Sequence, residues 1–307
     1  FIGGVDMRRG WNPMNDYLFK FVFGREERKR ITLSFLNAVL GLEGADELQD
    51  ITFIDRDMEP QFAEDKLSRL DLYGIASDGS RINIEVQLVN WGDMEKRTLY
   101  YWAKMYQSIH KGEAYEKLNR AITINLLNFA LLPQGEAHTV YGVYDIQSGH
   151  RLTEDLEIHF IEIPKFTVKS VKELKRLERW IAYFSNRLSE AEMEELAMSE
   201  TAIREAMQAE HAFMQDEVER WQYEQREKAV RDYRNGLRAS REEGIEIGMQ
   251  RGRAEGEEQA TLRSLCQLMN SLSFSPEQAM EVLCIPMEER EHYLRLLARQ
   301  QQMFREK

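Results

Sequence analysis

Positive charge is scarce in this chain of 307 residues: 41 Lys and Arg stand against 53 Asp and Glu, a formal net charge of −12 at pH 7. A protein that grips nucleic acid over its whole surface needs the opposite balance, so any contact with phosphates must rest on a local basic patch. Cysteine is nearly absent. Cys266 and Cys284 are too few and too far apart in sequence to suggest a disulfide framework or a zinc site, and a reducing cytoplasm is the expected setting. The six histidines are scattered, without metal-ligand spacing or a nucleophile partner. No run is apolar enough to span a membrane. FIGGVD, ahead of Met7, lacks the length and charge pattern of a signal peptide, and residues 1–11 are read as a leader or added residues. Proline is missing from the whole interval between Pro164 and Pro276.

What the chain does contain is 43% hydrophobic residues, enough for a core, and a length that suits one domain of ordinary size with a substantial appendage. Helical periodicity covers roughly 15–41, with Phe19, Phe23, Leu33, Phe35 and Leu36 as core candidates. Strands are expected near 50–56, 68–76, 81–89, 120–129, 138–146 and 155–163, with a helix over about 93–110. A hairpin, a crossover helix and a further strand suit a mixed α/β sheet flanked by helices over residues 12–165. GREERKR at 24–30 and the cations Lys96, Arg97 and Lys104 are candidate basic patches, and equally ordinary solvated helix faces.

The proline-free stretch is rich in Glu, Ala, Arg, Gln, Met and Leu and should be helical nearly throughout, with breaks near Ser185-Asn186 or Ser199. This predicts a long helical region over 166–258. Within it Gly236, Ser240, Gly244, Gly248, Gly252 and Gly256 recur at an interval of four. Each glycine in an exposed helix costs about 1 kcal/mol against alanine. Either a close helix–helix contact offsets that cost, giving self-association into a homo-oligomer, or the segment is a flexible charged linker. Residues 259–307 read as a small module of short amphipathic helices, one starting at Ser275-Pro276 and the next at Pro286. Its few basic residues argue against a DNA-reading helix pair and for packing or oligomerisation.

The most informative stretch is RLDLYGIASDGSRINIEVQLVN, residues 69–90. Ser77-Asp78-Gly79 suits a three-residue loop in which a type I turn ends on a left-handed glycine. That closure pairs Ala76 with Ser80, and so sets Leu72 against Ile84, Tyr73 against Asn83 and Asp71 against Glu85. Gln87 follows on the face of Glu85. A two-residue Asp-Gly loop would shift the register by one and part the two carboxylates, so the choice rests on turn chemistry. Opposed carboxylates on adjacent strands repel unless a cation lies between them. Either a divalent metal resolves this, since hard cations take carboxylate, carbonyl and water oxygens, or the face is simply solvated.

The spacing Asp71-x13-Glu85-x-Gln87 resembles the active-site hairpin of the PD-(D/E)XK nucleases, with Gln87 where the common pattern has lysine. NPMNDYLFKFVFGREERKRITLSFLNAVLG looks like the opening of the Rpn-type recombination-promoting nucleases, also labelled transposases. KRTLYYWAKMYQSIHKGEAYEKLNRAITINLLNF is similar to that family's helix–strand segment, including Arg97, Tyr101, Gly112 and Tyr115. The resemblance runs from about Asn12 to Lys165. It departs from the pattern in two places: Leu70, not proline, precedes the Asp, and the lysine is replaced.

The resemblance implies a PD-(D/E)XK-like mixed sheet flanked by helices, followed here by the all-helical C-terminal region. It implies a DNA endonuclease of recombination or mobile elements, using Mg2+ or Mn2+ held by Asp71, Glu85 and the carbonyl of Val86. Gln87 carries no charge and could only orient a water or a phosphate oxygen. Arg97, Tyr101 and Lys104 share a helix face, so Arg97 or Lys104 is expected to supply the missing cation, at little cost to stability when replaced. Asp16 is expected either as a further acid from the first helix or as a carboxylate serving the helix dipole. The alternative is a nuclease-like scaffold of weak or lost activity that assembles through its helical half.

Overall fold

The computed structural model describes residues 10–54, 71–107 and 114–305. They cluster in two compact units, 1–232 and 233–307. The leader residues 1–9, the start of the expected strand at 68–70 and Gly112 lie outside the described residues.

The first unit is built on six strands: β1 (Ile51–Phe53), β2 (Leu72–Ala76), β3 (Arg81–Gln87), β4 (Ala121–Leu127), β5 (His138–Tyr144) and β6 (Arg151–Glu162). They form one mixed sheet in the order β1-β2-β3-β4-β6-β5. β3, β4 and β6 run parallel, and the other pairs are antiparallel. Every residue of β4 is buried, as is most of β3. Parallel strands occur where both faces of a sheet are covered, and that is the case here.

One face carries Leu72, Ile82, Ile84, Val86, Ile122, Ile124 and Leu126 into the main core. Helices α1 (Asp16–Phe23), α2 (Lys29–Leu40), α4 (Arg176–Ser185), α5 (Glu190–Ser199) and α6 (Thr201–Gln215) supply its other half. The core continues past Pro164 through Trp180, Tyr183, Phe184, Ile203 and Phe213. The opposite face is covered by α3 (Met94–Tyr106), the crossover between β3 and β4. Its Tyr101 and Met105 pack with Tyr73 and Ala121, and its Met94 packs with Leu127, Ile158 and Phe160.

The single helix expected over 15–41 is two. At Gly24 a side chain would meet the Lys20 carbonyl at 2.8 Å. The carbonyls left at the end of α1 are taken by side chains: Arg28 donates to Phe21 O at 2.5 Å, and the Thr32 hydroxyl donates to Phe23 O. The proline-free stretch is helical as expected. Asn186, at φ 53, ends α4, and α5 ends at Ser199. A further break falls at Asp216, whose carboxylate accepts from the Val218 and Glu219 amides at the start of α7 (Glu217–Leu272).

In the second unit the later part of α7 is followed by α8 (Pro276–Val282) and α9 (Met287–Arg305). Leu265, Ala279, Met280, Ile285, Tyr293 and Leu297 close a small core. Ser275 caps α8 by accepting from Gln278 N at 3.3 Å, with Pro276 in the first turn. Among the described residues no helix is long and apolar enough to cross a membrane.

Candidate active site

The β2–β3 turn sets the site. Gly79 takes φ 86, Gly79 N donates to Ala76 O at 2.9 Å, and Ala76 N donates to Ser80 O at 2.9 Å. The three-residue loop therefore forms, and Leu72 pairs with Ile84 and Tyr73 with Asn83. One step further along lie Asp71 and Glu85. The Asp71 Oδ2 accepts from the backbone N–H of Val86 at 2.7 Å, which fixes this carboxylate against the strand that carries Glu85.

Glu85 has no solvent exposure. Its Oε2 accepts from Arg97 Nη2 at 2.5 Å and from the Gln87 amide at 3.4 Å. Its Oε1 is buried without a hydrogen-bond partner among the described residues. A buried carboxylate oxygen left unpaired is costly, and a bound water or cation would relieve that cost. Burial pushes the Asp71 carboxyl well above its usual range, and the charge of Glu85 pushes it further. Burial also raises Glu85, while the Arg97 guanidinium pulls it back. For Arg97 burial works against the charge, but the charge and hydrogen bond of Glu85 prevail and raise its pKa.

Helix α3 is pinned above this pair. The Asn125 amide, in register with Glu85 on the next strand, donates to Thr98 Oγ1 at 3.0 Å, and Trp102 Nε1 donates to Ala121 O at 3.0 Å. Arg97 is thereby held over Glu85, its guanidinium 5.6 Å from the centre of the Tyr101 ring. Lys104, the other cation expected on this face, lies instead near the ring of Tyr100, 5.9 Å from its centre. Tyr101 itself is buried in the packing of α3 on the sheet.

Asp16 opens α1 behind the Asn15 cap. Its carboxylate accepts a forked pair of hydrogen bonds from Arg226 of α7, with Nε at 2.8 and 2.7 Å from the two oxygens. Two cations near the acids were missed from the sequence, Lys20 and Arg226. The charge of Lys20 acts on both carboxyls, and Arg226 feels the charge of Asp71. Lys20 is one turn from Asp16 and could have been found by spacing. Arg226 could not, in a helix rich in charge throughout. The 24–30 cations are engaged locally: Arg25 and Arg28 lie over the Phe21 ring, and Lys29 pairs with Glu26 and Asp50 at 2.6 and 2.7 Å.

The donor set fits a hard divalent cation. Two adjacent carboxylates present oxygens beside a strand backbone, and one of those oxygens is buried and unpartnered among the described residues. Among the described residues no group of three or more His, Cys, Asp or Glu is arranged to hold a metal ion. The protein would thus supply a small part of the coordination shell and leave the rest to water and substrate, the habit of magnesium.

A mixed sheet with an acid pair on its central hairpin and a crossover helix above it is the framework of a nuclease. The sequence model of the PD-(D/E)XK nuclease family transposases matches residues 13–240, and the chain belongs to that family. The match extends past Lys165 through α4, α5 and α6 into α7. No curated protein and no solved structure matches the chain.

Proposed function

We propose that the chain is a divalent-metal-dependent DNA endonuclease acting in recombination or the movement of mobile elements. The observation that carries this reading is Glu85: a fully buried carboxylate beside Asp71, with one oxygen on Arg97 and the other unpaired. Asp71 and Glu85 would hold Mg2+ or Mn2+, with the Val86 carbonyl as a further oxygen ligand. When bound, the metal lowers the pKa of a water and offsets charge gathering on the scissile phosphate.

The other roles fall to the chain's own groups. The Val86 N–H aims Asp71. Arg97 offsets part of the push that burial gives the Glu85 carboxyl and would place a fixed positive charge beside the reacting phosphate, in the role the superfamily lysine would fill. We give that place to Arg97 rather than to Lys104 because Arg97 touches Glu85. The Gln87 amide, within reach of the same carboxylate, orients water or a phosphate oxygen. Asp16 serves by holding Arg226. Supercoiled plasmid incubated with purified protein should be nicked or linearised in Mg2+ or Mn2+ and left intact in EDTA. Intact plasmid under both metals would contradict this reading.

A second reading, a scaffold that assembles through its helical half, is favoured by α7. This helix carries Gly244, Gly248 and Gly252 on a stretch where an added side chain would meet nothing within 4 Å. Among the described residues nothing packs against these positions to offset their helix-weakening effect, and close approach of a second copy would.

A further inference from the structure

The Asp16–Arg226 fork joins the first turn of α1 to an early turn of α7, residues 210 positions apart in sequence. Between these helices lies a cleft of about 390 Å3 lined by Asp16, Tyr17, Lys20, Gln222, Gln225 and Arg226. That volume is within the range of sites that take small ligands or part of a polymer.

The chemistry of the lining is selective. Arg226 lines the cleft and spends Nε and Nη2 on Asp16, which leaves Nη1 outside that fork. Lys20 is exposed and forms no ion pair among the described residues, so its three donors are free. The Gln222 and Gln225 amides add neutral donors. The one carboxylate, Asp16, is already engaged by Arg226. Two cations and one acid leave the lining a net charge of +1, carried by Lys20, which favours an anion over a metal ion. A phosphodiester, singly charged with two open oxygens, matches a guanidinium edge beside an ammonium.

The cleft also neighbours the acid pair: α1 packs against β3, the strand of Glu85, and the charge of Lys20 acts on both carboxyls.

We infer that the cleft between α1 and the start of α7 is a subsite for the DNA backbone next to the cleavage point, with Lys20 and Arg226 contacting a phosphate and Gln222 and Gln225 donating to it. This rests on the endonuclease reading and extends it: the start of the long helix becomes part of the substrate surface. Asp16 is then a positioning residue that presents the Arg226 edge.

The test is binding of a fluorescein-labelled DNA duplex by the full chain in EDTA, followed by anisotropy over a series of salt concentrations. Lys20→Gln and Arg226→Gln should each weaken binding several-fold and lower the slope of log K against log salt by about 1. Lys172→Gln, a surface cation with 83% of its side chain exposed, should leave both unchanged. In Mg2+, Lys20→Gln should raise KM with little change in kcat. Arg226→Gln loses the Asp16 fork and could loosen α7, whereas Lys20 has no such partner, so Lys20→Gln decides the matter if the two disagree. A parent protein that binds no duplex at any salt would overturn the endonuclease reading itself. A parent that binds, with Lys20→Gln matching it in affinity and slope, would overturn the subsite alone.

Discussion

Arg97 Nη2 lies 2.5 Å from Oε2 of Glu85, a carboxylate wholly screened from solvent. The sequence suggested that a cation of α3 could be replaced without harm to the fold. The structure predicts otherwise, because Arg97→Met leaves a buried charge without a partner. Loss of one member of a buried pair costs about 3 kcal/mol or more, somewhat less where the cation keeps some water as here. Urea unfolding near neutral pH should show that loss, and it should shrink in acid, where Glu85 takes up a proton. Cleavage should fall as well. An Arg97→Met protein as stable as its parent would separate Arg97 from Glu85.

Gln87→Lys places the residue of the superfamily pattern one side chain from Glu85, whose Oε2 the present amide approaches at 3.4 Å. The variant should fold, and plasmid cleavage should hold or rise. Complete loss of cleavage in a folded variant would give the amide a role of its own.

The pH response of the metal-free protein follows from the raised carboxyls. Burial lifts Asp71 and Glu85 above their ordinary values of 3.8 and 4.5. A folded acid with a raised pKa keeps its proton longer than the unfolded chain does. Stability is therefore full below the ordinary values and declines as pH climbs through the raised ones. Asp71→Asn removes one such group, so in EDTA at pH 7 it should melt higher than the parent, with the gap closing toward pH 4. Mg2+ should stabilise the parent and not the variant. A variant that melts lower in EDTA at every pH would mean that the Val86 N–H bond outweighs the charge.

How much of this was legible can be traced residue by residue. The facing of Asp71 and Glu85 was readable because the Ser77-Asp78-Gly79 turn fixes the hairpin register and a period of two fixes the faces. The approach of Arg97 to the hairpin was readable as a helix face, but its choice over Lys104 was not. That choice depends on how Thr98 and Trp102 seat α3 on β4, which no spacing reveals. The break at Gly24 was hidden because apolar residues resume with helical spacing on its far side, from Ile31 through Val39. The Asp16–Arg226 fork was illegible because it joins elements separated in sequence by the whole sheet and five helices.

Gly248→Leu tests the second reading. It should raise helix propensity by several tenths of a kcal/mol, and within one chain the added side chain meets nothing. If copies meet along this face, light scattering should report a lower mass for the variant, with helicity by circular dichroism equal or higher. An unchanged mass would remove the stripe as an assembly surface.

The central claim is that the acid pair of the hairpin is the cutting site, and it is tested most directly on plasmid DNA in Mg2+ and Mn2+. Glu85→Gln and Asp71→Asn keep the shapes of their side chains while removing the charges a metal requires. The account predicts that the parent cuts, that both variants lose cleavage by orders of magnitude, and that both remain folded, with Asp71→Asn melting at or above the metal-free parent and Glu85→Gln lower, since it leaves Arg97 without its buried partner. Either variant cutting at the parent's rate would contradict it.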